Sequence, residues 1–128
     1  MRLQSATILA SSGVLLALAT LFGAFAAHGL RGQFDPNELS VFLSADRYQF
    51  YHSLGLLGVG LCARSMDGAL LRAAAALLFA GIVLFCGSLY LLAFGAPHAI
   101  GIVTPIGGLM LVAGWLLYAW AMWRSRAS

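Results

Sequence analysis

Ala73–Ala96 reads AAAALLFAGIVLFCGSLYLLAFGA, without a single charge. At ~1.5 Å rise per residue, a run of that length crosses a hydrocarbon core of ~30 Å. Inside lipid the backbone must close its hydrogen bonds within the segment, so the run is predicted to be a helix. Three further apolar stretches lie outward from it: Ala6–Ala27, Tyr48–Ala63 and Pro105–Trp123. Tyr48–Ala63 is the shortest, ~24 Å of helix, with Arg47 and Arg64 placed to snorkel from its ends. The predicted fold class is all-α: an integral membrane four-helix bundle, forming one domain over residues 1–128.

Composition agrees. The chain is 62% hydrophobic and 9% charged, with mean hydropathy +0.93, where a soluble domain carries about 25% charged residues. Its net charge of +3 comes from seven basic residues, all arginine, against four acids. The arginines sit at helix ends rather than in one patch, which points to lipid headgroups and away from nucleic acid. With four spans, Arg2, Arg64, Arg72, Arg124 and Arg126 share a face with Asp67. Arg31 and Arg47 share the other with Asp35, Glu38 and Asp46. The positive-inside rule then puts both termini in the cytoplasm, with Tyr118, Trp120 and Trp123 as an aromatic belt before Arg124. Ala24-Phe25-Ala26 imitates a signal cleavage site, but the apolar run before it is long for a signal core, so it reads as span one. Cys62 and Cys86 fall at different depths and read as packing residues rather than a disulfide.

Local signals mark the connections. Asp35, Pro36 and Glu38 form a helix start, with the acids as capping box and the proline at the first helical position. Leu39, Phe42 and Leu43 then share one side, so Pro36–Asp46 is expected to be a short amphipathic interfacial helix between spans one and two, bending near Arg47. Gly29 is expected as a left-handed cap after span one. Gly68 marks the turn after span two, and Thr104 is expected to cap span four, with Pro105 at its first helical position. Ala19, Gly23 and Ala27, and again Gly107, Gly114 and Ala121, are small-residue stripes for close helix contact. Gly95–Val103 is uncharged between two spans and is expected to tuck into the headgroup region or the bundle.

The groups able to hold a proton or ligand gather on the outer side. His28 ends span one, His52 lies about one turn into span two, and His98 is in the apolar loop; Arg31, Arg47, Tyr48, Gln49, Tyr51 and Tyr90 are at similar depth. Tyr48 and His52 are four apart and share a helix face, as do Arg47 and Tyr51. An outer cluster follows, with His52, Tyr48 and His28 in one third of the bundle and Gly95–Val103 beside them. The same residues also suit a plain interfacial role, rings buried and polar tips wet. The histidine spacing is not a metal motif, and no phosphate loop, metalloprotease motif or nucleophile elbow occurs, so no metal, cofactor or catalytic residue is expected. Spans one, three and four have no ionisable residue in their cores, which leaves His52 as the one candidate proton carrier.

Gly23-Ala24-Phe25-Ala26-Ala27-His28-Gly29-Leu30, Arg47-Tyr48-Gln49-Phe50-Tyr51-His52, Gly87-Ser88-Leu89-Tyr90 and Thr104-Pro105-Ile106-Gly107-Gly108 resemble domain-of-unknown-function family 423, also called the transmembrane protein 256 family. The resemblance implies a small four-span protein of bacterial inner membranes and implies no established activity. Its signature residues coincide with the outer cluster and bring Thr104 into it. The leading expectation is a non-enzymatic binding or accessory subunit. Its candidate site is His28, Arg47, Tyr48, Tyr51, His52, Tyr90, His98 and Thr104, facing membrane lipids, a second copy or a larger membrane complex. The alternative is a minimal oligomeric transporter or channel working through His52; a metal- or haem-binding redox component ranks behind both.

Overall fold

In the computed structural model, helix α1 covers Arg2–Phe25 and widens into a π-helical turn, Ala26–Leu30. Helix α2 covers Pro36–Cys62, α3 Ala69–Ala93 and α4 Val103–Ser125, the last entered through a 3-10 turn, His98–Ile102. The structure describes residues 2–127; Met1, Ser128 and the side chain of Arg2, one of the arginines counted above, lie outside the described residues. The fold is an all-α bundle in which three helical segments, Leu3–Leu30, Ala69–Ala93 and His98–Ser125, are long and apolar enough to cross a membrane.

The helices run up, down, up, down. Gly60 of α2 packs on Ile8 and Leu9 near the start of α1, and Gly23 meets Asp46 further along. In α3 and α4, Gly107 faces the Phe85 backbone, Gly81 faces Leu111 and Gly114 faces Leu78. The start of α1 and the end of α4 therefore lie at one end, the terminal end, and the Leu30–Pro36 and Phe94–His98 connections at the other, the loop end. Gly107, Gly114 and Ala121 are all buried, so the seven-residue stripe is the contact face of α4. A Cβ at Gly81 would lie 2.8 Å from Leu111 Cγ, so no larger residue keeps this spacing.

Three local expectations are corrected. Pro36–Asp46 is not a separate interfacial helix. The Asp35–Glu38 capping box forms, with Glu38 N–H donating to Asp35 Oδ1 at 2.8 Å, but the helix it starts continues to Cys62 without a break at Arg47. Phe42 and Ala45 are buried, and the Phe42 ring sits 5.0 Å from Tyr90 in an aromatic cluster with Phe22, Phe34 and Phe94. Stacking that apolar face on α1 and α3 removes more surface from water than lying flat would, which holds the segment upright. Gly29 is not a left-handed cap: among the described residues the left-handed backbone is at Gly95, φ 91°. There Ala96 N–H donates to Leu91 O and Gly95 N–H to Leu92 O, a Schellman ending for α3. Thr104 is not a cap either, because the 3-10 turn carries helical backbone up to Val103 and places Thr104 inside α4.

Candidate functional site

Helix α2 carries the polar groups, and its turn sorts them onto different faces. Asp46, Gln49 and Ser53 recur at three and four residues and so line one face, packed against α1 and α3. Gln49, half-way along α2, is 3% exposed. Its Nε2 donates to Leu15 O in α1 at 2.8 Å, and its Oε1 accepts from Tyr90 Oη in α3 at 2.7 Å. Only this orientation of the amide satisfies both partners, so the side chain ties three helices in a fixed direction. Asp46 lies one turn toward the loop end, its carboxyl beside the Tyr90 hydroxyl and near Cys86. Its Oδ1 is buried with no hydrogen-bond partner, and so is Ser53 Oγ.

The neighbouring face turns to α4. Trp115 Nε1 donates to His52 Nδ1 at 3.0 Å, so neutral His52 carries its hydrogen on Nε2. The imidazole stacks on Tyr48 at 5.8 Å between centroids and 22° between planes. Tyr48 in turn lies 5.0 Å from the Phe85 ring. Beyond Trp115, Tyr118 packs edge-on against the indole, its hydroxyl 3.9 Å from Cys62 Sγ. Facing outward are Arg47, Tyr48 at 43% exposure and Tyr51 at 58%.

The sequence-predicted residues thus divide. Tyr48, Tyr51 and His52 come together on α2, with Arg47 beside them. Tyr90 lies on the other side of α2, against Gln49. Thr104 Oγ1 pairs with Ser88 Oγ at 2.6 Å, inside the α3–α4 hairpin. His28 and His98 are exposed on the two loop-end turns, and the turn bearing His98 packs on α3 and α4. Among the described residues no three His, Cys, Asp or Glu side chains gather as metal ligands. The shared outer depth expected for His52 is corrected, because its partner Trp115 is half-way along α4. The reason is the length of α2: it begins at residue 36 rather than 48, so each residue of the Arg47–His52 motif sits ~18 Å further down a continuous helix.

Asp46, Ser53 and Trp115 are not among the expected site residues, and Gln49 is expected only by its depth, not as a bridge between helices. The signal was present, polar residues at helical spacing on one face, but assigning Asp46 to a separate helix split it. A groove of about 580 Å³ between α1 and α3 at the terminal end, lined by Thr7, Ser11, Leu56, Ala75 and Phe79 with Arg72 alongside, is also new. None of Asp46, Gln49, Ser53 and Trp115 lines it.

The pattern of the family described as "Protein of unknown function (DUF423)" matches residues 22–108. The span runs from the loop-end half of α1 to the start of α4, and so contains α2, Tyr90 and Thr104. A UPF0382 membrane protein of Staphylococcus haemolyticus is 44% identical over 108 residues, covering 81% of this chain and 88% of its own. The UPF0382 membrane protein YwdK of Bacillus subtilis is 40% identical over 111 residues, 86% of this chain and 89% of its own. One from Haemophilus influenzae is 38% identical over 117 residues, 88% and 94%. No solved structure matches the chain. By the extent of the matched pattern and the near-full-length identity to these proteins, the chain belongs to the DUF423 family, and it is a membrane protein.

Proposed function

We propose that the chain is a small, non-enzymatic, four-span protein of the bacterial inner membrane, both termini cytoplasmic, that binds anionic phospholipid through the outward face of α2. The observation that carries this reading is Arg47: its side chain is exposed, and the one ion pair among the described residues is Arg72–Asp67 at 2.9 Å. An unpaired guanidinium on a lipid-facing helix needs an anion from outside, and its fork fits a phosphate. The depth suits it. Asp46 packs at Gly23, ~10 Å along α1 from Leu30 at the loop end, within reach of a snorkelling arginine. The exposed Tyr48 and Tyr51 rings beside it offer hydroxyls at the same level.

The fourth span is α2, which does not pass as a span on apolarity because Asp46, Gln49 and Ser53 line its inward side and Arg47 stands on its outward one. Outward it shows Phe50, Leu54 and Leu61. Bacterial relatives named as membrane proteins support the location. The arginine excess at the terminal end supports the orientation.

The test is the purified protein in mild detergent, its bound phospholipid measured by native mass spectrometry. Arg47→Ala should lower retention of anionic lipid about tenfold, or ~1.4 kcal/mol. Undiminished lipid on Arg47→Ala would remove the reading. A second reading, proton-linked transport, is favoured by one observation: His52 sits at mid-bundle depth against Trp115. In the same preparation reconstituted into vesicles, loss of ion flux on His52→Gln with lipid retention intact would select it.

A further inference from the structure

Asp46 is an acid inside a bundle that offers it no base. A carboxylate half-buried among membrane helices, with one oxygen sealed from water, is stabilised by a positive charge close by. Each element packed on it fails to supply one. From α1 it meets Gly23, where an added Cβ would stand 2.9 Å from Asp46 Oδ2, and Ala19–Ala27 contains no titratable side chain. From α3 it faces the Tyr90 hydroxyl, with the Cys86 thiol near enough to feel its charge, and neither carries positive charge. On α2 itself, Arg47 is exposed on another face, and no ion pair to Asp46 occurs among the described residues. Meanwhile Oδ1 is sealed from solvent and accepts no hydrogen bond, so the group holds an uncommitted acceptor at the junction of three helices.

We infer that the Asp46 carboxyl, backed by Tyr90 and Gln49, is a binding site for an exchangeable monovalent cation, a proton or a sodium ion. The charge count sets the valence: one carboxylate is neutralised by one positive charge, whereas a divalent ion needs six or more oxygens. The other acids of the loop end, Asp35 and Glu38, are engaged in the capping box at the start of α2. Hydrogen-bond direction sets the geometry. Tyr90 gives its single hydrogen to Gln49 Oε1, and Gln49 gives its own to Leu15 O. The lone pairs of the Tyr90 oxygen are therefore left toward the acid. A proton on Asp46 completes a one-way chain running Asp46, Tyr90, Gln49, Leu15. A sodium ion takes the same lone pairs together with Oδ1. The missing Cβ at Gly23 is what lets the carboxyl sit there, so α1 closes the site with bare backbone.

The site is independent of the lipid face and is tested on the purified full-length chain. Infrared difference spectra between the wild type and Asp46→Asn, in sodium-free buffer, isolate the Asp46 bands. A carbonyl stretch of a protonated carboxyl at neutral pH identifies the proton as occupant. Carboxylate bands that shift on adding sodium but not potassium, with a rise in Tm absent from Asp46→Asn, identify sodium. Carboxylate bands that stay constant from mildly acid to mildly alkaline pH and ignore sodium overturn the inference. Should Asp46→Asn not fold, Asp46→Glu moves the same bands, and Tyr90→Phe must perturb them because it removes the oxygen facing the acid.

Discussion

At the residue scale, Gln49 and Ser53 make a controlled pair. Both are buried on α2, one turn apart, but Gln49 fills two hydrogen bonds while Ser53 Oγ fills none. Removing a group that satisfies others leaves those others stranded, whereas removing a stranded group relieves a cost. Gln49→Leu is therefore expected to destabilise by about 1–2 kcal/mol, since membrane hydrogen bonds are worth ~0.6 kcal/mol each and the Tyr90 hydroxyl is left unpaired. Ser53→Ala should be neutral or stabilising. Unfolding of both variants in graded denaturing detergent measures the difference; equal losses would mean that Gln49 does not bridge the helices. Gln49 lies within a motif legible in the sequence, Arg47–His52, yet its role was not. The role depends on Tyr90, which is 41 positions away, and nothing local announces that pairing.

At the element scale, the glycine seam of the α3–α4 hairpin was readable and α2 was not. Gly107, Gly114 and Ala121 repeat at the period that keeps one side of a helix toward its neighbour, so spacing alone predicts the contact face. A leucine at Gly114 would overlap Leu78, whose Cγ would be 3.0 Å from the new Cβ. Overpacking of that kind costs about 1–3 kcal/mol. Leu116→Ala, at a position 66% exposed toward lipid, should cost far less. The two variants compared in the same detergent unfolding assay check this; equal tolerance would put Gly114 on the lipid side. For α2 the start signal was read correctly from Asp35, Pro36 and Glu38. The charged pair Asp46-Arg47 reads as the edge of an apolar span, yet α2 has no break there. Inside the bundle Asp46 turns inward and Arg47 outward, and the helix passes through.

At the scale of the whole molecule, the class of fold was plain from composition and from three uninterrupted apolar runs. The fourth segment was harder for a physical reason: hydropathy averages around a helix, and α2 keeps opposite chemistries on opposite faces. The candidate site was legible only as an address. Arg47, Tyr48, Tyr51 and His52 do meet, while His28, His98, Tyr90 and Thr104 were grouped with them by depth and are dispersed by packing. The orientation is open to direct measurement. A C-terminal phosphatase fusion, active only outside the cytoplasm, should stay silent, and a fluorescent fusion at the same site should be bright. The opposite result would reverse the arginine argument and place Arg47 on the cytoplasmic leaflet.

The bridge from Gln49 to Tyr90 also orders events during synthesis. The ribosome makes α2 before α3, so for a time the acid and the amide of α2 exist without the hydroxyl that receives them. Partitioned alone, a helix with those groups gains little from lipid; with α3 beside it, they are covered. Helix α2 should thus linger at the insertion machinery, its residence ended by the arrival of its partner rather than by its own hydrophobicity. Leu54→Cys, on the exposed face of α2, reports this. With Cys62 and Cys86 both changed to Ser, it should react with a water-soluble maleimide when the chain stops at Gly68 and be shielded at full length. Shielding in both would show α2 entering unaided.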